Sequence, residues 1–519
     1  MPRREEEIGM DGTPNEEKRN EGAYVFPDMQ ENVGHIRLML GDPSDLVIRV
    51  ITVGGGKRSC ALAFLSGLSD RGVIDEQIVR RILETDRFGD GDSKAETSEV
   101  LDGLRSETMS VSQVLEVRLW SDVIKGVLYG DTALFLEGSD DALLIGTANW
   151  KERSIDEPPT EALVRGPREG FTEKIETNVG LIRRGIRDMN LRFDSSTIGR
   201  RSRKTLILTY VQGIIHPDIL EEVRRRLDTI DIDDAPESGY VEQWIEDSFL
   251  SPFPQTLHTE RPDKVRAALL QGKAAILLEG TPFALIVPTT FVALIQSPED
   301  YYERWLIGSL IRTLRYIAVF IALFAPAIYI ALVSFHQGMI PFKLAFSIAA
   351  AREGVPFPAV VEALLMEGTL ELLREAGVRL PKPIGQTIGI VGGLVIGEAA
   401  VRAGVVSPIM VIVVAVTAIS SFAIPSYSAG IAFRMLRFAT MLAASVLGLF
   451  GIILAFIMIS SHLVRLRSFG MPYASPVSPM FISDWRDLVI RSPVTFMTKR
   501  PEFMQTKNIN RASARGKRS

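Results

Sequence analysis

The 519-residue sequence predicts a multi-domain protein: an α/β soluble N-terminal region of two similar subdomains, then an α-helical transmembrane bundle of about four spans plus an amphipathic or re-entrant segment. Three observations predict it. Uncharged apolar runs crowd between Tyr316 and Ser461. Strand-like and helical periods alternate before residue 300. Phrases of the first α/β half return in the same order in the second.

The first thirty or so residues are polar and rich in Glu, Arg, Asn and Gly, so residues 1–37 are expected to be a disordered tail. They lack the apolar core of a signal peptide, which predicts a cytoplasmic N-terminal region. Strand-like runs at 46–53 and 60–65 and a helical pattern at 75–84 open the first subdomain, 38–162. In the second subdomain, 163–300, ALAFLSGL at 61–68 is matched by ILTYVQGI at 207–214, and LFLEG at 134–138 by ILLEG at 276–280. Gly130 and Gly272 precede the second pair closely. Two matches in one order predict a duplication; the alternative is two ordinary hairpins sharing a glycine turn.

A hydrocarbon layer of about 30 Å takes roughly 20 apolar helical residues. Within the helical domain, 301–467, the expected spans are 316–335, 384–400, 405–424 and 438–461. Between the first two, the pattern at 359–376 places Val361, Leu365, Met366, Leu370, Leu372 and Leu373 on one face. Glu367, Glu371, Arg374 and Glu375 fall on the other, with Glu362 inside the apolar face. Residues 339–351 are too short to cross and read as interfacial or re-entrant. Pro408 is read within the third span, its freed carbonyl satisfied by Ser407 or a neighbouring helix.

From His462 to Ser519 eleven Lys or Arg face three Asp or Glu, so 468–519 reads as a basic cytoplasmic tail, and Arg312 and Arg315 put the start of the first span on the same side. Both ends inside require an even number of crossings. In that order Arg434 and Arg437 fall outside, in conflict with the rule.

Gly385, Gly389, Gly393 and Gly397 form one helical stripe, suited to close packing or, with Gln386 and Glu398, to a pore lining. Glu398 and Arg402 have the spacing of a helical ion pair; Glu398 and Glu362 are also candidates for an ion path. Arg183, Arg184 and Arg187 could meet phosphates or anionic lipid, or form an ion-paired helix face.

Cys60, the only cysteine, excludes an intramolecular disulfide and a cysteine zinc cage. The five histidines lack metal-ligand spacing, VGGGKRS at 53–59 lacks that of a phosphate loop, and no nucleophile elbow occurs. The expectation is a protein without metal, cofactor, nucleic-acid partner or enzymatic activity.

Dispersed phrases resemble the A subunits of spore germinant receptors, the GerA family. In the soluble part they are RGPREGFTE (165–173), with Arg165, Pro167, Arg168 and Glu169; NVGLIRRGIR (178–187), with Asn178, Arg183 and Arg184; and TERPD (259–263), with Glu260, Arg261, Pro262 and Asp263. In the membrane part they are Pro356 to Pro358, Met366-Glu367, Arg379 to Pro381, IGIVGGLVIG (388–397) and Ser421 to Pro425. The resemblance implies a multi-pass protein of the spore inner membrane, acting with a transporter-like B subunit and a C-subunit lipoprotein. It implies an oligomeric ring around an ion path that opens when a nutrient binds, with 384–400 at the pore. An accessory homologue serving dipicolinate release is the alternative within the family; a membrane-anchored scaffold is the alternative outside it.

Overall fold

The computed structural model describes residues 23–53, 58–84, 113–148, 157–158, 160–381, 393 and 395–512. Two compact units result, one of Met1–Ala162, Pro167–Trp244 and His258–Ile286, the other of Leu163–Gly166, Ile245–Leu257 and Val287–Ser519.

The first unit holds two five-stranded sheets. Helix α1 (Met29–Leu40) precedes β1 (Leu46–Val53) and β2 (Arg58–Leu65); β3 (Val114–Val117), α2 (Trp120–Tyr129), β4 (Thr132–Leu136) and β5 (Ala142–Ile145) follow. The second set is α3 (Ile175–Gly185), β6 (Leu191–Ile198), β7 (Lys204–Val211), α4 (Pro217–Asp228), α5 (Ser238–Ile245), β8 (Leu257–Thr259), α6 (Pro262–Leu269), β9 (Ala274–Leu278) and β10 (Ala284–Val287). The strand orders correspond, β1-β2-β4-β5-β3 and β6-β7-β9-β10-β8.

Strand β2 reads as a nearly continuous apolar run because both its faces are covered. Ala61, Ala63 and Leu65 pack with Ile36 and Trp120 of α1 and α2, while Leu62 and Phe64 pack with Ile74 and Ile78 from the helical stretch after β2.

The duplication extends to single hydrogen bonds. Asn32 in α1 accepts from the Phe26 amide at 2.9 Å and donates to the Phe26 carbonyl at 2.6 Å. Asn178 in α3 does the same with Thr172, at 2.8 and 2.6 Å. A shared glycine turn between unrelated hairpins would not reproduce this.

The expected disordered tail of 1–37 fails from residue 23: Tyr24 bridges Leu119 and Val25 is buried. Asp28 caps α1 by accepting from Gln30 and Glu31, and Met29, Ile36 and Leu40 bury one face of the helix. Residues 1–22 lie outside the described set.

The second unit is helical: α7 (Trp305–Ser334), α8 (Phe342–Arg352), α9 (Ala359–Arg379), α10 (Pro408–Phe422), α11 (Tyr427–Leu447) and α12 (Leu449–Arg465). Among the described residues, α7 and α11 are long and apolar enough to cross a membrane; α10 and α12 are shorter apolar helices. The 30 residues of α7 reach about 45 Å.

Two span expectations change. The run 438–461 is not one helix, because Gly448 at φ 59° divides it. Phe253 lies 5.7 Å from Phe433 in α11 and 6.3 Å from His462 in α12, so the remote ends of the two helices meet and the pair is an antiparallel hairpin. The span set at 405–424 begins at Pro408, whose missing amide costs nothing in the first turn; Ser407 caps it by accepting from Met410 at 3.3 Å. Of 384–400, only 393 and 395–400 are described, as helix.

The segment expected as a basic tail, 468–519, is packed within its unit as far as described. Ser468 donates to the Gln255 carbonyl at 2.7 Å, Tyr473 donates to the Pro254 carbonyl at 2.6 Å, and Arg491 is buried.

Candidate functional site

Helix α9 turns two of its four acids, Glu362 and Glu367, inward. At about 100° per residue, Ala359, Glu362, Ala363, Met366 and Glu367 occupy one sector, and these are its buried residues. Leu365 and Leu372, opposite, are 45% and 73% exposed. The expected apolar and charged faces are thus redistributed. A row of carboxylates needs counter-charges more than the leucines need protein contacts, and neighbouring helices supply them.

Glu362, fully buried, accepts from the Ser407 amide at 2.8 Å and lies 3.0 Å from Arg352 of α8. Its carboxylate therefore holds the N-terminus of α10, where the helix dipole favours negative charge. Glu367 pairs with Arg437 of α11 at 3.0 Å, both side chains buried. Glu371 meets Arg434 at 3.3 Å and Arg374 at 3.0 Å. The row joins α8, α10 and α11 to α9. It explains why Arg434 and Arg437 conflict with the positive-inside rule: they are spent inside the helical unit.

A second cluster sits at the base of α7. Asp300 takes Arg312 at 3.1 Å and Arg315 at 2.7 Å; Arg312 also reaches Asp487 at 2.7 Å, and Arg491 donates to the Asp300 carbonyl at 2.9 Å. The Tyr301 ring lies 5.4 Å from both the Arg312 and Arg491 guanidinium carbons. Arg312 and Arg315, read from sequence as side markers, are buried partners of one carboxylate.

In the first unit, Arg261 gathers the motif residues. Its guanidinium donates to the carbonyls of Glu161 at 3.1 Å and Pro167 at 2.7 Å, and pairs with Asp263 at 3.1 Å. The Glu260 carbonyl accepts from Phe171 at 2.7 Å, and Pro262 opens α6. Burial opposes ionisation of Glu161, but Lys264, Thr259 and the Glu260 amide hold it below the usual carboxylate range. The RGPREGFTE and TERPD phrases thus form a staple. Arg183 pairs with Asp45, Arg184 with Glu169, and Arg187 lies over Tyr129: an ion-paired face. Arg165 and Arg168 make longer pairs, at 3.9 Å each, with Glu303 and Glu157.

The family described as Bacillus/Clostridium GerA spore germination protein matches residues 34–503. The chain belongs to the GerA family.

Relatives of this GerA-family chain include the spore germination protein GerLA of Bacillus cereus, 49% identical over 93% of this chain and 96% of that one. The spore germination protein KA of Bacillus subtilis (strain 168) is 43% identical over 94% and 88%. A crystal structure of the N-terminal domain of the A subunit of the Bacillus megaterium spore germinant receptor GerK3 is 30% identical, covers 52% of this chain and 98% of that one, and has a TM-score of 0.41.

The expected pore residues of the GerA-family chain are dispersed. Gly385, Gln386 and Gly389 lie outside the described residues. Among the described residues nothing lies within 4 Å of a Cβ placed at Gly393, and one at Gly397 would lie 3.7 Å from Val411 of α10. Glu398 is exposed and paired with Arg402. Glu362 is far from solvent and committed to Arg352 and Ser407. Sequence reasoning did not choose Glu367, Arg437, Arg434 or Arg352 as site residues; the misfit of Arg434 and Arg437 with the charge rule was the signal available. Among the described residues no group of three or more His, Cys, Asp or Glu side chains could hold a metal.

Proposed function

We propose that the chain is the A subunit of a nutrient-responsive spore germinant receptor, a multi-pass, oligomeric component of the spore inner membrane that converts germinant binding into ion release. It acts with a transporter-like B subunit and a lipoprotein C subunit, and carries out no catalysis of its own. The observation that supports this best is the inverted pattern of the helical unit. Acids of α9 are buried against Arg352 and Arg437, whereas Leu372, Ile412, Ile419 and Phe450 face outward, as hydrocarbon favours. Charges that stay paired inside a bundle can also exchange partners when helices move, which is how a binding event could reach an ion path. Residues 384–400, with their glycine stripe, are the segment we assign to that path.

The test is nutrient-triggered potassium release from spores carrying Gly393→Leu, with immunoblotting of the subunit in the inner membrane. Normal abundance with release abolished supports the reading. Unchanged release removes the glycine stripe from the conducting or gating unit.

A further inference from the structure

The seam between the two α/β subdomains is made of unlike surfaces. Helix α3 of the second subdomain lies on the loop after β2 of the first so closely that a Cβ on Gly180 would come 2.3 Å from the Gly67 carbonyl oxygen. A Cβ on Gly67 would fall 2.9 Å from the Glu176 carbonyl oxygen. Beside this contact is a cavity of about 400 Å³ lined from one side by Ser66 and Asp70 and from the other by Lys174, Thr177 and Arg184. Arg183 closes the seam on Asp45, at 2.9 and 3.1 Å.

Each surface has a counterpart in the duplication. Helix α1 corresponds to α3: NVGHIR at 32–37 matches NVGLIR at 178–183, Gly34 stands where Gly180 does, and the two asparagines make the same bonds. The loop at Gly213 corresponds to that at Gly67. Both follow the long second strand of their sheet, and three residues on, Asp70 and His216 each cap a helix by accepting from a backbone amide. Yet among the described residues neither glycine carries such a contact, although Gln212 beside Gly213 accepts from Arg192 at 2.9 Å. Among the described residues nothing lies within 4 Å of a Cβ placed at Gly34 or at Gly213. Leu38, at the position of the seam residue Arg184, is 75% exposed, and Gln212, at the position of Ser66, is exposed too.

We propose that the Gly34 face of α1 docks on the Gly213 loop of a second copy of this chain, repeating between molecules the seam that joins the subdomains within one. A helix on one side and a loop on the other make the contact heterologous, so every copy keeps one free helix and one free loop, and the series closes as a ring or continues as a filament. Asp45 corresponds to Asn190, so Arg37 finds an amide where Arg183 finds a carboxylate. The intermolecular seam is accordingly the weaker and more reversible one. The proposal rests on the oligomeric part of the reading above and adds the surface.

The test uses the full-length chain in membranes, with Leu38→Cys and Gln212→Cys, alone and together. The native Cys60 is buried, and burial pushes its thiol up to about 11, so it does not compete. Oxidation is expected to give dimers and a ladder of larger species from the double variant, and dimers from the two single variants co-expressed. Each single variant alone stays monomeric. Gly34→Trp in the double variant is expected to cut the cross-linked fraction at least tenfold at unchanged abundance. Absence of the ladder, equal cross-linking by Leu38→Cys alone, or indifference to Gly34→Trp would overturn the proposal. A lysine-reactive cross-linker run in parallel separates the two failures. Oligomers seen there without the cysteine ladder sink this surface alone, and no oligomers in either sink the oligomeric reading as well.

Discussion

At Glu367 and Arg437 two opposite charges are held 3.0 Å apart with almost no exposure, an arrangement whose worth lies in not being broken. Removing one partner strands the other, at a cost of about 3–5 kcal/mol, whereas removing both leaves neither charge uncompensated. Arg437→Met should therefore lower the thermal stability of the purified chain in detergent, and adding Glu367→Gln should restore most of it. Single variants that melt like the wild type would mean the pair is not closed. Lys273, before β9, is a different case: burial, then Lys264, pushes its ammonium down to about 8. An unfolded lysine titrates near 10.4, so between about pH 8 and 10.4 the unfolded chain binds more protons and stability rises with pH. Below that window the penalty is constant, at about 3 kcal/mol. Lys273→Met should raise the melting temperature at pH 7 and flatten its climb between pH 8 and 10; a wild-type melt that does not climb refutes the buried ammonium. Lys273 is inconspicuous in sequence, since a lysine at a turn carries no mark of its surroundings, whereas Arg437 stood out only by its conflict with the charge rule.

The α11–α12 hairpin depends on one backbone position. Gly448, at φ 59°, has no room for a side chain: a Cβ would come 2.7 Å from His336, and Gly451 sits against the Ala443 carbonyl. Gly448→Leu combines strain with a clash and should reduce the steady-state level of the subunit several-fold on immunoblot, while Gly430→Ala, with only the end of Arg434 nearby, should not. Equal levels would show that the helices tolerate another turn. From sequence the hairpin is hidden, because an apolar run reads alike whether it continues or reverses. Helix α9 teaches the complementary point. Its existence, its start after Pro358 and the place of Glu362 among apolar residues were legible from periodicity. Which sector faces inward was not, because the partners of Glu362 and Glu367, Arg352 and Arg437, stand on other helices.

Across the whole molecule, the C-terminal segment belongs to the helical unit rather than trailing from it. Ser468 and Tyr473 are fully buried, and Asp487 and Arg491 complete the cluster at the base of α7. A chain ended after Arg465 should be degraded, with immunoblot levels falling well below wild type, whereas one ended after Ala512 should persist; survival of the shorter chain would show that α7 is held without this segment. The sequence by itself determined the order of the parts, α/β before helices, the family, and the duplication of strand phrases. Those rest on local period and short motifs, which a linear reading contains. It also holds the NVGHIR and NVGLIR repeat at 32–37 and 178–183, which lies on helices rather than on the strand phrases. Only the tertiary structure decided that Arg183 and Arg261 are staples, that α9 buries Glu362 and Glu367, and that Gly34 and Gly213 stand open among the described residues while Gly67 and Gly180 are closed. The physical reason is separation along the chain. Glu367 and Arg437 are 70 residues apart and Asp45 and Arg183 are 138 apart, so no local pattern couples them. Only the folded chain makes each the other's solvent.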